Sequence, residues 1–344
     1  MQNAHEMGKV GAGLGGMRIG GHRLAGQVLL APMSGITDAP FRRLAHRYGA
    51  SLVVSEMVAS EELVQQKPDA VLRLEGEGVM PNVIQLAGCE AKWMGVGARL
   101  AVGAGADIVD INMGCPSRRV TNGWSGSALM RDLDAACRLI EATVEAVDVP
   151  VTLKMRLGWD RASLNAPELA SRAEGLGVQM VTVHARTRCD FYKGPVDWPA
   201  VRAVVEAIGI PVVVNGDITD LDGAREALAV SGAEAVMIGR GACGQPWRVG
   251  AMARALESGA ATIEPAPDNL AEIVFDHYEA ILHHYGDDLG VRVARKHLGW
   301  YLETTRPPAE QAEWRKVLMT ETDPRAVVAA IPAAFSAGQL EFAA

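Results

Sequence analysis

The sequence contains no apolar run near the roughly 18 residues that span a bilayer. Its N-terminus lacks the apolar core of a secretory signal, so a cytoplasmic protein is expected. Cysteine is scarce: five residues, an odd number, with no Cys-x-x-Cys pair. In a long chain that argues for reduced thiols in the cytosol rather than a disulfide framework. The spacing of Cys89, Cys115, Cys189 and Cys243 matches no zinc pattern, and no metal site is expected. Positive charge is in deficit too, with 33 Lys and Arg against 41 Asp and Glu, a formal net charge of −8. That balance argues against a general nucleic-acid binder and leaves room for a selective one built on local basic patches. No stable protein partner is evident.

What is present is ordinary globular composition, 49% hydrophobic and 22% charged, over 344 residues. Such a length holds one core of about 250 residues plus a smaller unit. Residues 1–16 are small, glycine-rich and expected to be flexible. Their Gly11-Ala12-Gly13-Leu14-Gly15-Gly16 satisfies G-x-G-x-x-G, but no strand precedes it and no helix follows, which makes it a decoy. Short apolar strands then recur at 28–31, 52–55, 82–86, 108–112, 151–154, 180–184, 211–215 and 235–238, with helical patterns between most of them. This is the α/β pattern of a (β/α)8 TIM barrel over residues 17–263. One helix shows it well: Leu133, Ala136, Ile140, Val144 and Val147 continue from Leu129 as one apolar stripe, and Cys137 falls on it. Beyond Glu264-Pro265-Ala266-Pro267 only helical patterns remain, at 270–284, 291–303, 309–318 and 325–335. They predict a small all-helical C-terminal domain over 268–344.

The loops leaving several strands, at 116–127, 156–165, 185–197 and 239–247, are long and polar, whereas those entering the strands are short. In a barrel that asymmetry marks the C-terminal mouth as the working face. Met33, Gln85, Asn112, Lys154, His184, Asn215 and the Gly239-Arg240 pair all end strands there, and Cys115 hangs just beyond Asn112. Lys154 ends an apolar run, and a buried ammonium needs an acceptor or an anion. Asn215-Gly216-Asp217 and Gly239-Arg240-Gly241 follow the last two strands, where barrels commonly hold phosphate on glycine N–H groups and an arginine. The set suits an elongated ligand such as a mononucleotide. Spacing alone does not name flavin, and a Schiff-base aldolase using Lys154 or a barrel that binds without catalysing stays open.

Several segments, in order, resemble the signatures of the tRNA-dihydrouridine synthases. They are Ala31-Pro32-Met33-Ser34-Gly35-Ile36-Thr37-Asp38, Asn112-Met113-Gly114-Cys115-Pro116-Ser117-Arg118-Arg119, Leu153-Lys154-Met155-Arg156, Val183-His184-Ala185-Arg186 and Val214-Asn215-Gly216-Asp217. Arg295-Lys296-His297-Leu298-Gly299-Trp300-Tyr301 is similar to the bacterial B-type branch, including its nitrogen-regulation-locus members. The likeness covers roughly residues 18 to 320 and implies an enzyme that reduces the C5–C6 bond of uridine in tRNA, at position 17 of the D loop in the B-type case. It further implies FMN as cofactor and NADPH as electron donor. By motif, FMN would be held by Pro32, Met33, Ser34, Gln85, Lys154, Asn215, Gly216, Asp217, Gly239 and Arg240, with His184 orienting flavin or base. Cys115 would donate the proton and Asn112 would orient the base. A flavin barrel acting on a free pyrimidine is a rival that does not need a basic tail. For tRNA phosphates and flanking bases the expected residues are Arg118, Arg119, Trp124, Arg186, Arg188, Tyr192 and Lys193 on the mouth loops, and Arg292, Arg295, Lys296 and His297 on the tail.

Overall fold

The computed structural model describes residues 16–263 and 268–335. The expected flexible start up to residue 15, most of the glycine decoy, the proline linker at 264–267 and residues 336–344 lie outside the described residues.

A short hairpin, β1 (Arg18–Ile19) with β2 (His22–Arg23), precedes the barrel. The barrel strands are β3 (Val28–Leu30), β4 (Leu52–Val53), β5 (Val58–Ala59), β6 (Val83–Ala87), β7 (Ile108–Met113), β8 (Val151–Arg156), β9 (Val181–His184), β10 (Val212–Asn215) and β11 (Ala235–Ile238). All pair in parallel, in the order β4-β3-β11-β10-β9-β8-β7-β6-β5. β4 and β5 are two pieces of one strand. The sequence predicts only a run at 52–55, and the structure adds β5 beyond it, after a break where side chains take over the ladder. Ser55 Oγ accepts from Gln85 N at 2.9 Å and donates to the Glu56 carbonyl at 2.8 Å, while Glu56 turns to accept from Gly35 N. A bridge between Val54 and Val83 closes the cylinder across the break, which makes the sheet an eight-fold (β/α) barrel.

Side chains alternate at period two along each strand, and this alternation builds the site. The outward set, including Val28, Ile84, Val109, Leu153 and Val183, packs under the helices. The inward set begins apolar: Leu29, Val83, Ile108, Met180, Val213 and Ala235 fill the lower barrel, with Met17, Ile19 and Leu24 of the hairpin region as a plug. Two residues further along four of these strands the interior turns polar, with Gln85, Asp110, Thr182 and Asn215. Of the outer helices, Leu133–Val144 is capped by Asp132, which accepts from Ala135 N at 2.9 Å. It buries Ala136, Leu139, Ile140 and Thr143. The stripe read from the sequence is therefore rotated: Leu133, Cys137 and Val144 are only half-buried at its edges. Ile140→Ala is expected to cost about 2–5 kcal/mol through the cavity it leaves, seen as a lower urea midpoint with unchanged slope.

Four helices follow, Leu270–Tyr285, Asp287–Thr305, Pro308–Thr320 and Pro324–Phe335. Their core cluster takes in Leu44 and Trp247 from the barrel. Trp247 stacks on Tyr301 with centroids 6.2 Å apart, and Tyr285 Oη donates to Asp38 at 3.2 Å. The helical unit is thus seated on the helix Ala39–Arg47 beside the barrel mouth. Among the described residues no helix is long and apolar enough to cross a membrane.

Candidate active site

The C-terminal mouth opens on a cavity of about 1140 Å³. Pro32, Met33, Ser34, Gln85, Lys154 and His184 line it. So do Asn215, Gly216, Asp217, Gly239 and Arg240, together with Asn112 and Cys115. The barrel therefore brings together the residues expected from strand ends and the cysteine beyond β7.

At its floor runs a buried polar chain. Thr152 donates to Asp110 Oδ1 at 2.5 Å and Gln85 Nε2 to Asp110 Oδ2 at 2.7 Å; Asn112 Nδ2 then donates to Gln85 Oε1 at 2.7 Å. Asn112 Oδ1 in turn accepts from the N–H groups of Gly114 and Cys115, at 3.2 and 3.0 Å. One amide thus fixes the turn that carries the thiol. Asp110 and Arg156 are buried neighbours of the candidate site that sequence reading passed over, though both stand two residues from a predicted site residue and so on the same inward face. Burial holds the Asp110 carboxyl above its ordinary range against hydrogen bonds from Thr152 and Gln85.

The Cys115 loop is expected to be long and polar, and the structure builds it from a helical turn, Arg118–Thr121, and a 3-10 segment, Gly126–Arg131. Gly126 has φ +61°, and a Cβ there would stand 2.9 Å from the Cys115 carbonyl oxygen and 3.2 Å from its Cβ. Only glycine lets this segment back the cysteine so closely. Ser127 Oγ donates to the same carbonyl at 2.8 Å. From the other side Arg156, 1% exposed, donates to the carbonyls of Gly114, Thr187 and Phe191 at 2.7 to 2.8 Å. Arg156→Met strands three carbonyls and is expected to destabilise the fold by about 3 kcal/mol or more in urea unfolding. Burial is the main influence on the Cys115 thiol and pushes its pKa up, only partly offset by the Ser117 N–H and by Arg156 and Lys154.

Lys154 Nζ donates to Asn215 Oδ1 at 3.0 Å, and Asn215 Nδ2 donates to the Met237 carbonyl at 2.7 Å. Burial, then the neighbouring Arg156, lowers the Lys154 pKa to about 8. His184 is pushed well below its ordinary value by burial and then by the cations around it, so its ring is neutral. Its Nδ1 is buried with no protein partner. At the end of β10, Gly216 at φ +128° leaves bare backbone beside His184. Asp217 lines the cavity, but its carboxylate is taken by two guanidiniums, Arg186 at 2.6 Å and Arg240 at 2.9 Å. It aims Arg240 toward the mouth rather than offering itself to an anion.

The residues expected on an RNA face divide. Arg118, Arg119 and Lys193 are exposed, and Arg119 lines the cavity. Arg188 is half-buried on Trp159 and Phe191. Arg186 is 1% exposed and bound to Asp217, so it is not a surface cation. His297 is 2% exposed, packed against Phe41, His277 and Trp300, and held neutral by burial. In both cases a motif position carries the residue inward, which spacing did not reveal. Arg295 is half-buried and donates to the Glu321 carbonyl at 3.1 Å. Lys296 turns toward Gly35, Asp38 and Glu56 in a cleft of about 210 Å³ between barrel and tail.

Residues 29–338 match the dihydrouridine synthase (Dus) family. The chain belongs to this family. A protein of Rhizobium leguminosarum bv. phaseoli named "Probable tRNA-dihydrouridine synthase" is 54% identical over 92% of this chain and 97% of its own length. A "tRNA-dihydrouridine synthase B" of Pseudomonas putida is 44% identical over 93% of this chain and 94% of its own. Among solved structures, histamine dehydrogenase from Rhizobium sp. 4-9 aligns with 76% of this chain and 50% of its own, at TM-score 0.53 and 15% identity. At that identity the likeness shows the shared barrel fold. This Dus family member thus carries the family's match across both barrel and helical tail.

Proposed function

We propose that the chain is a cytoplasmic tRNA-dihydrouridine synthase that holds FMN in the mouth cavity, uses NADPH and reduces the C5–C6 bond of U17 in the D loop. The observation that carries this reading is a thiol kept protonated by burial and a buried amine facing one cavity from adjacent strands. FMN is compatible with the residues present. Lys154 makes one hydrogen bond with three donors available, and His184 Nδ1 waits without a protein partner. Gly216, Gly239 and Arg240 line the same end of the cavity, and Arg240, 62% exposed and held there by Asp217, keeps further guanidinium N–H groups for a phosphate.

Bound FMN, refilled by NADPH, would supply the hydride that the uracil C6 requires. The chain's own residues supply the rest. As C6 is reduced, negative charge gathers on C5 and O4, and C5 needs a proton from a positioned acid. Cys115 holds that proton because its surroundings disfavour the thiolate, and Asn112 fixes its place through the Cys115 N–H. Lys154 supplies positive charge for an anionic ring held against it. The uridine must leave its stack to enter, and exposed Arg118, Arg119 and Lys193 at the mouth suit the phosphates on either side.

The test is a map of dihydrouridine in tRNA from a strain lacking the gene, with and without the wild-type chain restored. Loss at position 17 and its return with the chain is the expected result. An unchanged map would overturn the activity, and loss at another D-loop position would overturn the choice of uridine.

A further inference from the structure

Among the described residues, four other than glycine have φ in the left-handed region: Gln66, Trp124, Phe191 and Asp217. The last three lie in mouth loops, and backbone strain of this kind persists where the surroundings over-determine it. Trp124 and Phe191 stand at the two ends of one stack. The Arg131 guanidinium lies 5.3 Å from the Trp124 ring centre and 4.8 Å from that of Trp159. The Arg188 guanidinium lies 4.8 Å from Trp159 and 4.9 Å from Phe191. Rings and cations thus alternate through the Cys115 loop and the loops after β8 and β9, and cation–π attraction holds the three together.

Trp159, Arg188 and Phe191 are half-buried, whereas Arg131 is exposed and Trp124 is 60% exposed. With Arg131 5.3 Å from its centre, the ring still presents most of its surface to solvent. Gly123 and Ser125 on either side line the cavity, so the ring stands on the rim. Arg118 and Arg119 are exposed on the preceding turn. A rigid aromatic plane beside free guanidiniums at the edge of a deep cavity has the chemistry of a single-stranded nucleic-acid platform, π-face for base and cation for phosphate.

We infer that the exposed Trp124 ring stacks on a nucleobase flanking the target uridine, with Arg118 and Arg119 taking the adjacent phosphates. The inference rests on RNA being the substrate. When the uridine turns out, its neighbour loses a stacking partner, and Trp124 replaces it. Arg131 behind the ring fixes its plane in advance, so little ordering is left for the moment of binding.

The probe is a single-stranded pentaribonucleotide with a central uridine flanked by 2-aminopurine, added to the FMN-loaded protein. Wild type should quench the 2-aminopurine fluorescence by stacking. W124L keeps an apolar side chain without a π-face. It should lose the quench and raise the tRNA dissociation constant about 5- to 150-fold, the range for one stacked base. W124F should retain most of both. Flavin content and melting temperature establish that each variant is folded. Undiminished quenching and wild-type tRNA affinity in W124L would overturn the inference, leaving Trp124 as the end of a structural stack. If wild type restores dihydrouridine and only this result fails, the activity stands; if wild type neither binds tRNA nor restores dihydrouridine, both fall.

Discussion

Replacing Cys115 with alanine is expected to cut uridine reduction by about two to four orders of magnitude, the loss typical of a missing general acid. The loss should fall in the half-reaction in which tRNA reoxidises pre-reduced flavin. Stopped-flow mixing of reduced protein with unmodified tRNA isolates that step. Cys115→Ser should recover little, because a hydroxyl is a far weaker acid than a thiol. The pH dependence follows from the environment of the thiol. Burial raises its pKa, so the protonated form persists through neutral pH. An acid acts only while it holds its proton. The rate should therefore stay level across neutral pH and fall only above the ordinary thiol range. A thiolate nucleophile would show the reverse, a rate that climbs with pH. Wild-type-like reoxidation in Cys115→Ala would show that another group protonates C5.

The barrel and the polar cavity at its C-terminal mouth were legible because both rest on local pattern. Strands announce themselves as short apolar runs, and the polar residues that end them are few enough to notice. The break in the second strand was not legible, since it depends on Ser55 and Glu56 finding partners on Gln85 and Gly35, a strand and a loop away in sequence. Asp110 and Arg156 had a readable signal, the period-two step from Asn112 and Lys154, that fixes which face a strand residue shows. Arg186 and His297 show the opposite failure. A basic residue in a basic run reads as surface, yet Asp217 draws Arg186 inward and an aromatic cluster encloses His297. Only tertiary partners separate a buried cation or a neutral imidazole from an exposed charge.

Lys154→Met should weaken FMN binding about 10- to 150-fold, the worth of one charge-assisted hydrogen bond, and should also change how binding responds to pH. In the folded protein the amine titrates near 8, below its ordinary 10.5, because burial disfavours the ammonium and Arg156 repels it. Without a ligand the charged form is therefore a liability. Folding stability from this group rises with pH between about 8 and the ordinary lysine value, and below 8 the full penalty remains. An anionic ligand against the amine reverses that preference, so binding takes up a proton near pH 8. FMN affinity in wild type should hold steady below pH 8 and fall as pH climbs beyond it. Methionine fills similar space without a charge, so the variant should bind weakly and lack this fall. Flavin fluorescence titrations from pH 6.5 to 9.5 on both proteins provide the measurement. A fall of equal steepness in Lys154→Met would assign the titration to another group. Unchanged affinity would remove Lys154 from the flavin site.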